Sequence, residues 1–366
     1  MKPIKIATLS LTSVHAGPYI VNLPLNKDKF DWVAASINPK DRDIPDLQLM
    51  PDYVKVYDTD EEMLKAHPDL EAVVLCGSND LTYKQFKLCT SYGIKNFLIM
   101  KVPTLSMEEY DDMLRIAKEN DMIIQVELEM RGDQTVNRLK QLCDTGAIGK
   151  LLSIQIYNTT VVLPPEILPW VTDPKQSYGR VCQLKPGDSR FRGGALTDHP
   201  HAFDLSRYFS GSEFESIYAE VCENFREGNK IEEGVFVVGK MKNGVCVTID
   251  PSYSRHENKL PPIKAVGPGW EGYPKRVEVY VTLSGEKGTI MADCMGGGVY
   301  HTGLPYNTFA YEYPEGPNHY TAMLGSFAEC VRNHIKPYVN IEMHQNNMKA
   351  VNACYESIYT GKQIKL

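Results

Sequence analysis

The sequence predicts an α/β fold in two parts: a parallel sheet with helices on both faces, then an α+β domain with a large, mainly antiparallel sheet. In the first third of the chain, short apolar runs alternate with helical patterns, an order typical of parallel strands joined by helices. Beyond about residue 150, strand-like runs alternate apolar and polar side chains and are separated by turn signals, as in antiparallel sheets. We therefore expect domains at residues 1–126 and 127–366, with the C-terminal helix free to pack back on the first.

Five buried strands are predicted in the first domain, because each is a short apolar run between polar or turn-forming segments. They are Ile4–Leu9, Phe30–Ile37, Glu71–Cys76, Asn96–Met100 and Met122–Val126. A capping box at Ser106–Glu109 predicts a helix that runs to about Asn120. Parallel sheets bind ligands at the carboxyl ends of their strands, so residues just after these strands are candidates for a binding site.

The second domain is predicted from an alternation that places one face of each strand in a core. The strand-like runs are Ile154–Tyr157, Ser216–Phe225, Gly234–Met241, Val245–Ile249 and Arg276–Leu283. Asn243-Gly244 is a hairpin-turn signal. Residues 251–275 and 294–318 are rich in Gly, Pro and Tyr, and they are predicted as long loops that line a site. Helices are predicted at residues 319–335 and 342–360.

Composition argues against several function classes. The formal net charge of −7 and the lack of a basic run argue against a nucleic-acid partner, which requires clustered cations. The N-terminal residues lack the apolar core of a signal peptide, and no apolar run is long enough to cross a bilayer. Cysteines without a CxxC pair are typical of reduced thiols. We therefore expect a cytoplasmic protein with neither a nucleic-acid nor a membrane partner.

The run Gly193–Asp204 concentrates glycines, histidines and carboxylates in one short segment. A histidine side chain in general changes charge near neutral pH and can take a proton from an alcohol, so His201 is a candidate base. Pro200 is tolerated in a first helical turn, which predicts a helix that begins at residue 198 or 199. On that helix Asp198, His201 and Asp204 would share one face. The positive end of the helix would keep the imidazole neutral, as a general base requires.

Several motifs along the chain occur in the order and spacing of one family. The run 193–204 is similar to GGG-x-L-x-D-x-G-x-H-x-x-D, and the other matches are Asn79 in a TPN-like turn, Lys101 in place of the lysine of Glu-Lys-Pro, Gly146–Gly149 as G-x-I-G, Ser284–Thr289 as a late G-x-x-G turn, and the tail Ser357–Leu366. Together they resemble the Gfo/Idh/MocA family of nicotinamide-dependent sugar and cyclitol oxidoreductases over nearly the whole chain.

This resemblance implies a Rossmann-like nicotinamide-binding domain, followed by a domain that binds substrate and forms a homo-oligomer. It implies oxidation of a secondary hydroxyl of a sugar, glycoside or cyclitol, and C3 of a glycoside, giving a 3-keto sugar, is one candidate position. By the same resemblance Lys101 polarises the reacting oxygen, and His201 is the general base. Asp198 would orient the substrate or share the proton relay.

The cofactor loop departs from the family's pattern, because Ser10–His15 lacks the glycine-rich GxGxxG and the first glycine is Gly17. Hydroxyl groups are expected to bind the phosphates instead of the loop backbone. Asn38 stands where the family has an acidic residue for the ribose, and Lys40 and Arg42 follow, so NAD is expected and NADP stays open. The expected cofactor contacts are Ser10, Thr12, Ser13, Asn38, Ser78, Asn79 and Lys101.

Two alternatives stay open. The interval from Asp198 to His201 is one residue shorter than in the family, which makes His201 the firmer assignment. Asp198, His199 and His201 also resemble metal ligands, with His256 or His319 to complete a set, although no metal is expected. A chain with this altered loop could instead be a regulatory dinucleotide- or sugar-binding protein on the same fold.

Overall fold

A computed structural model describes residues 2–11, 16–42, 45–77, 79–104, 106–161, 194–224, 231–254, 277–294, 297–303 and 308–366. The chain forms two compact units. The first unit comprises Met1–Glu129 and His319–Gln345, and the second comprises Met130–Asn318 and Asn346–Leu366. The first unit therefore includes a helical segment from the C-terminal part of the chain.

Three helices, those predicted at residues 106–120, 319–335 and 342–360, begin and end close to their predicted limits. The capping box is present at the start of the helix after residue 106, where Ser106 Oγ accepts a hydrogen bond from the Glu109 backbone N–H at 3.3 Å. Among the described helices, none is long and apolar enough to cross a membrane. The helices are α1 Ala16–Leu25, α2 Asp60–Ala66, α3 Asn79–Ser91, α4 Met107–Glu119, α5 Gln134–Asp144, α6 Ala195–Asp198, α7 Pro200–Ser210, α8 His319–Asn333 and α9 Ile341–Thr360.

A parallel sheet forms the centre of the first unit. Its strands are β1 Ile4–Leu9, β2 Phe30–Ser36, β3 Lys55–Tyr57, β4 Ala72–Leu75, β5 Asn96–Ile99 and β6 Ile123–Val126. The strand order is β3-β2-β1-β4-β5-β6, which is the order of dinucleotide-binding α/β domains. All five predicted strands are confirmed, whereas β3 is too short to show a hydrophobic period in the sequence.

Aromatic side chains pack helices against this sheet. Phe30 of β2 stacks on Phe327 of α8, with ring centroids 6.2 Å apart. Phe86 of α3 packs on Phe97 of β5 at 5.0 Å. The helix α8, although late in the sequence, thus completes the core of the first unit. Burial of aromatic surface of this kind is the main force that holds such helices in place.

A mixed, mostly antiparallel sheet forms the centre of the second unit, as predicted. Among the described residues it has the order β15-β14-β13-β12-β7-β10-β9-β8-β16, with β11 paired to β7. Both β10 and β11 run parallel to β7, and the other pairs are antiparallel. The strands are β7 Leu151–Val161, β8 Phe214–Val221, β9 Val235–Met241, β10 Cys246–Asp250, β11 Tyr253–Ser254, β12 Val277–Gly285, β13 Gly288–Asp293, β14 Gly298–Gly303, β15 Thr308–Glu312 and β16 Ile364–Lys365.

The predicted long loop at residues 294–318 is wrong, because this region contains β14 and β15. Tyr300 and Tyr311 lie opposite each other on these strands, with ring centroids 4.8 Å apart. Tyrosine favours strands, but the glycines and prolines around these residues hide the alternation in the sequence. The other predicted loop, 251–275, contains β11, and its remainder from residue 255 lies outside the described residues.

Two short glycine motifs pack on each other at the edge of the second unit. A side chain at Gly285 would bring its Cβ within 2.2 Å of the Ile148 carbonyl oxygen, so only glycine fits there. That oxygen accepts a hydrogen bond from the Lys287 N–H at 2.8 Å, and the Lys150 oxygen accepts one from Glu286 at 3.0 Å. The G-x-I-G motif and the late G-x-x-G turn therefore fix the start of β7.

Candidate active site

The histidine-rich run forms two helices rather than one. The short α6 ends at Asp198, and α7 begins at Pro200 after a break at His199, whose φ and ψ are −111° and 49°. Proline fits the first turn because its missing N–H would have no helical partner there. The helix thus begins within one residue of its predicted start, with His199 as its N-cap. Asp198 and His201 lie on different helices, so the single face predicted for Asp198, His201 and Asp204 does not form.

Asp204 anchors α7 to Arg131, which lies five residues after the end of β6. Its carboxylate accepts two hydrogen bonds from Arg131, one of them at 3.1 Å from Nη2, and one from Asn347 Nδ2 at 3.3 Å. The Arg131 guanidinium lies 3.7 Å from the centroid of the Tyr208 ring. Burial alone would raise the pKa of Asp204, but the Arg131 charge and hydrogen bonds hold that pKa below its usual value. Asp204 is thus a structural carboxylate whose described partners are Arg131 and Asn347, and it does not orient His201.

His199 docks the break between the two helices onto β7. Its Nδ1 lies 2.9 Å from the Ala195 carbonyl oxygen, so Nδ1 carries the proton and donates it. Its Nε2 lies 2.8 Å from Thr160 Oγ1 and accepts the hydroxyl proton. The Tyr253 ring packs edge-on at 5.7 Å. Both ring nitrogens are used, so His199 is not available as a metal ligand.

The other ligands of the alternative metal site do not come together in the described residues. His319 belongs to the first unit, and burial lowers its pKa to about 4. His256 lies outside the described residues. Across the part of the chain that the structure describes, there is no group of three His, Cys, Asp or Glu side chains that could hold a metal ion.

His201 and Asp198 are both buried, with relative exposures of 4% and 6%. His201 is the second residue of α7, beside the first-turn N–H groups that give a helix its positive end. The placement therefore suits His201 to accept a proton.

A buried carboxylate that sequence reasoning missed, Glu232, caps α6. Its two oxygens accept hydrogen bonds from the backbone N–H groups of Gly194 and Leu196, each at 3.1 Å. Its backbone carbonyl accepts a third from Ala195 at 3.0 Å. A Cβ at Gly194 would lie 2.1 Å from that carbonyl oxygen, which explains the glycine in the motif. Burial raises the pKa of Glu232 to about 7.

Asn158 is a second residue that the sequence did not single out. It lies on β7 two positions before Thr160, so both side chains are on the same face of the strand. Asn158 is fully buried, and its amide has no hydrogen-bond partner among the described residues. A buried amide without a partner is costly, so it marks a place where a polar ligand group fits.

In the first unit, Lys101 and Asn79 lie at the carboxyl edge of the parallel sheet. Lys101 follows β5 and is only 4% exposed. Asn79 is the first residue of α3 after β4, and it is buried with neither amide atom paired among the described residues. The structure thus places both residues where such sheets bind ligands, as the sequence predicts.

Polar side chains join the strand ends at the altered cofactor loop. Ser10 adopts a φ of 51°, the left-handed conformation that glycine usually supplies. Its hydroxyl accepts from Gln85 Nε2 at 2.7 Å, and its N–H donates to Ser36 Oγ at 3.0 Å. Asp60 accepts from both Gln85, at 2.7 Å, and Ser36. This network links the carboxyl ends of β1 and β2 with α2 and α3.

The remaining expected cofactor contacts are placed only in part. Asn38 is exposed after β2, and its side chain accepts from the Lys40 N–H at 3.0 Å. Arg42 pairs with Asp58, so its charge is partly neutralised, whereas Lys40 is exposed. Thr12, Ser13 and Ser78 lie outside the described residues.

Comparison with known proteins supports part of the resemblance. Residues 136–291 match the sequence model of the GFO/IDH/MocA C-terminal domain, and this range includes the motifs at Gly146–Gly149, 193–204 and Ser284–Thr289. The chain is 27% identical to the myo-inositol 2-dehydrogenase of Thermotoga maritima over 244 residues, which is 65% of this chain and 61% of that protein. The chain spans about three fifths of the length of the curated relatives that it matches.

Solved structures share the fold over the whole chain. The aldose-aldose oxidoreductase of Caulobacter crescentus, complexed with glycerol, has a TM-score of 0.78 at 17% identity and covers 100% of both chains. An inositol dehydrogenase homologue from Azotobacter vinelandii, complexed with NADH and myo-inositol, has a TM-score of 0.77 at 13% identity over 100% of this chain and 98% of that one. At these identities the likeness establishes the fold.

Replacing Arg131 with methionine should destabilise the second unit strongly. The variant leaves Asp204 as a buried charge without its cation, which typically costs about 3–5 kcal/mol of unfolding free energy. Because the folded pKa of Asp204 is lowered, the pair stabilises the fold above the unfolded pKa of Asp204, and this stabilisation is lost as pH falls below it. Urea unfolding at pH 7 measures the loss.

Arg138→Met is the matched control, because the Arg138–Glu312 pair has side chains that are 31% and 33% exposed. Such a pair contributes about 1 kcal/mol or less. A loss in Arg131→Met no larger than in Arg138→Met would contradict the structural role of the Arg131–Asp204 pair.

Proposed function

We propose that this chain, which carries a GFO/IDH/MocA C-terminal domain, is a nicotinamide-dependent oxidoreductase that oxidises a secondary hydroxyl of a sugar, glycoside or cyclitol. One observation carries the proposal: the unpaired amide of buried Asn79 and the buried Lys101 at the carboxyl edge of a 3-2-1-4-5-6 parallel sheet. The names of the relatives add support, since one is a myo-inositol 2-dehydrogenase and one solved neighbour holds NADH and myo-inositol.

The proposed cofactor is NAD. The unpaired Asn79 amide offers a donor and an acceptor to a dinucleotide. Ser10, Asn38 and Lys101 are the other proposed contacts among the described residues, and Thr12, Ser13 and Ser78 are assigned by resemblance. NAD is favoured over NADP because Arg42 is already paired with Asp58. Of the two cations after β2, Lys40 would therefore have to bind the 2′-phosphate of NADP largely by itself. When bound, the nicotinamide accepts the hydride.

Lys101 and His201 are the proposed catalytic pair. Oxidation of an alcohol needs a cation to stabilise the developing alkoxide, and Lys101 supplies it. It also needs a base to take the hydroxyl proton, and the neutral His201 imidazole at the start of α7 supplies it. Asp198 orients the substrate or shares the proton, and the unpaired amide of Asn158 binds a further substrate hydroxyl. For a glycoside, oxidation at C3 would give a 3-keto sugar.

The regulatory alternative rests on the same loop. The Ser10 hydroxyl already accepts a hydrogen bond from Gln85. It is therefore only partly available to bind a phosphate of the cofactor. A non-catalytic protein on this fold would bind a dinucleotide or a sugar without turnover. Cofactor binding and turnover together separate the two functions.

Calorimetric titration of the apo-protein should show NAD+ or NADH binding, with a weaker response to NADP+. Asn79→Leu, which keeps the size of the side chain but removes the amide, should weaken NAD binding about 10-fold or more, the scale of one lost hydrogen-bond partner. Asn96→Leu is the control, because Asn96 is the first residue of β5 and lies at the amino edge of the sheet, away from Asn79. No binding of either dinucleotide at millimolar concentration would reject the oxidoreductase and favour the regulator.

Lys101→Met should retain the fold and NAD binding but lower turnover by roughly two to three powers of ten, the effect of losing one positioned electrostatic donor. Lys95→Met is the matched control, because Lys95 is an exposed lysine just before the same strand β5. Steady-state oxidation of polyols by both variants measures the difference. Turnover of Lys101→Met within twofold of wild type would remove Lys101 from the mechanism.

The rate of oxidation should rise with pH across neutrality, because His201 must be neutral to accept the proton. His201→Asn should lower the rate by about two to four powers of ten and flatten that rise. His334→Asn is the control, since His334 is an exposed histidine paired with Asp121. A pH profile that is unchanged in His201→Asn would assign the base to another group.

We further propose that the open face of the second unit's sheet forms a homo-oligomer. A continuous row of side chains crosses this face, and its apolar members Met291 and Val238 are 54% and 55% exposed. Exposed apolar patches of this kind mark interaction surfaces. The strand registers align the row Tyr311, Tyr300, Met291, Thr282, Gln155, Thr248, Val238 and Tyr218.

The double variant Met291→Lys, Val238→Lys should dissociate this oligomer, because each substitution would bring a charge into an apolar interface. Light scattering should then give a smaller mass than for wild type. Ile335→Lys, at an exposed apolar residue of the first unit, should leave the mass unchanged. A wild-type protein that is monomeric at micromolar concentration would contradict the proposal.

A further inference from the structure

The helix α6 is a single turn, so its ends decide whether it forms. It has only four residues, and its N-cap Gly194 provides no side-chain hydrogen bond. Short helices are marginal without such end contacts. Glu232 supplies what Gly194 lacks, because its carboxylate and its backbone carbonyl accept from the first N–H groups of the turn. The position of the segment that leads to His201 therefore depends on Glu232.

We propose that Glu232 is a positioning residue for the reaction at His201, acting through the turn that ends at Asp198. This inference rests on the proposed function. Glu232 touches neither Asp198 nor His201 in the described contacts, and its effect passes along the backbone from Gly194 to the start of α7. A misplacement of about 1 Å at a catalytic group can cost roughly 100-fold in rate, so a cap on this turn is enough to matter.

A hydrogen-bond chain connects the cap to α9. Tyr355 Oη donates to Glu232 Oε1 at 2.7 Å and lies 2.9 Å from Thr197 Oγ1. When Glu232 is ionised, Tyr355 Oη donates its proton to the carboxylate and accepts a hydrogen bond from Thr197 Oγ1. When Glu232 is protonated, it can donate to Tyr355, and the chain reverses toward Thr197. The residue next to Asp198 therefore changes its hydrogen bonding with the charge of Glu232.

The groups around Glu232 allow this ionisation to occur near neutral pH. The titratable side chains of α9 that face it are Tyr355 and Cys354, and burial with the Glu232 charge raises the pKa of the Cys354 thiol far above its usual value. On the capped turn itself, the titratable side chain is Asp198. None of these three side chains can become a cation, so none of them offsets the burial of Glu232. Its ionised form is the one that the two N–H groups and the Tyr355 hydroxyl stabilise.

The test compares the pH profiles of turnover of wild type, Glu232→Gln and Tyr355→Phe. In wild type both His201 and Glu232 must lose a proton, so log kcat/KM should fall at acid pH with a slope approaching about two. Glu232→Gln should lower kcat about 10- to 100-fold and reduce that slope to about one. Tyr355→Phe keeps the cap but removes one hydrogen bond to the carboxylate, so the part of the profile that belongs to Glu232 should move to higher pH.

Asp133→Asn is the matched control, because Asp133 is a half-buried carboxylate that also caps a helix, accepting from the N–H groups of Thr135 and Val136, and burial raises its pKa to about 6. This variant should keep the wild-type slope. Hydrogen exchange of the segment from Gly194 to Asp204 should be faster in Glu232→Gln and unchanged in the control.

The possible outcomes separate this proposal from the proposed function. An active wild type with Glu232→Gln and Tyr355→Phe both within twofold of it, and with unchanged pH profiles, would overturn the role of Glu232 and leave the oxidoreductase intact. If Glu232→Gln does not fold, an unshifted profile in Tyr355→Phe alone overturns it. A wild type that oxidises no sugar, glycoside or cyclitol would overturn both proposals.

Discussion

The close approach of Glu232 to Gly194 is the contact on which the candidate site in the second unit depends. A glycine without a Cβ lets the Glu232 carbonyl and carboxylate reach the first N–H groups of a one-turn helix. That turn ends at Asp198, and the break at His199 is held to β7 by Thr160. The next helix then starts at Pro200 with His201 in its first turn. Each step fixes the next, so a buried acid and a missing side chain determine where the imidazole lies.

In the first unit, a left-handed backbone conformation occurs just after β1 at a residue that is not glycine. Ser10 takes the left-handed backbone conformation, and its side chain is held by Gln85. Asp60 accepts from Gln85 and from Ser36, which ties two strand ends together. In glycine-rich loops the backbone approaches the phosphates because side chains are absent. Here side chains hold Ser10 in place, and the buried amide of Asn79 remains available at the neighbouring strand end.

Much of the fold follows from sequence periodicity, because buried parallel strands and alternating strands leave clear patterns. The short strand β3 and the tyrosine-rich strands β14 and β15 escape this reasoning, since a pattern needs length and is obscured by nearby glycines and prolines. At the site, Lys101 and Asn79 were assigned by resemblance to the family's motifs, and both follow strands that the sequence predicts. Glu232 was not, because a buried acid that caps a helix 36 residues earlier in sequence has no local signature. The helix break at His199 was equally hidden, since proline is compatible with either helix start.

Direct transfer of hydrogen from a substrate carbon to the nicotinamide tests the central claim most directly. A polyol or glycoside carrying deuterium on the carbon to be oxidised would be incubated with the protein and NAD+, and the reduced nicotinamide analysed by mass spectrometry and NMR. One deuterium at C4 of the nicotinamide and an equal amount of ketone product are expected. Reduced nicotinamide without deuterium, or no reduction with any member of a panel of sugars, glycosides and cyclitols, would contradict that claim.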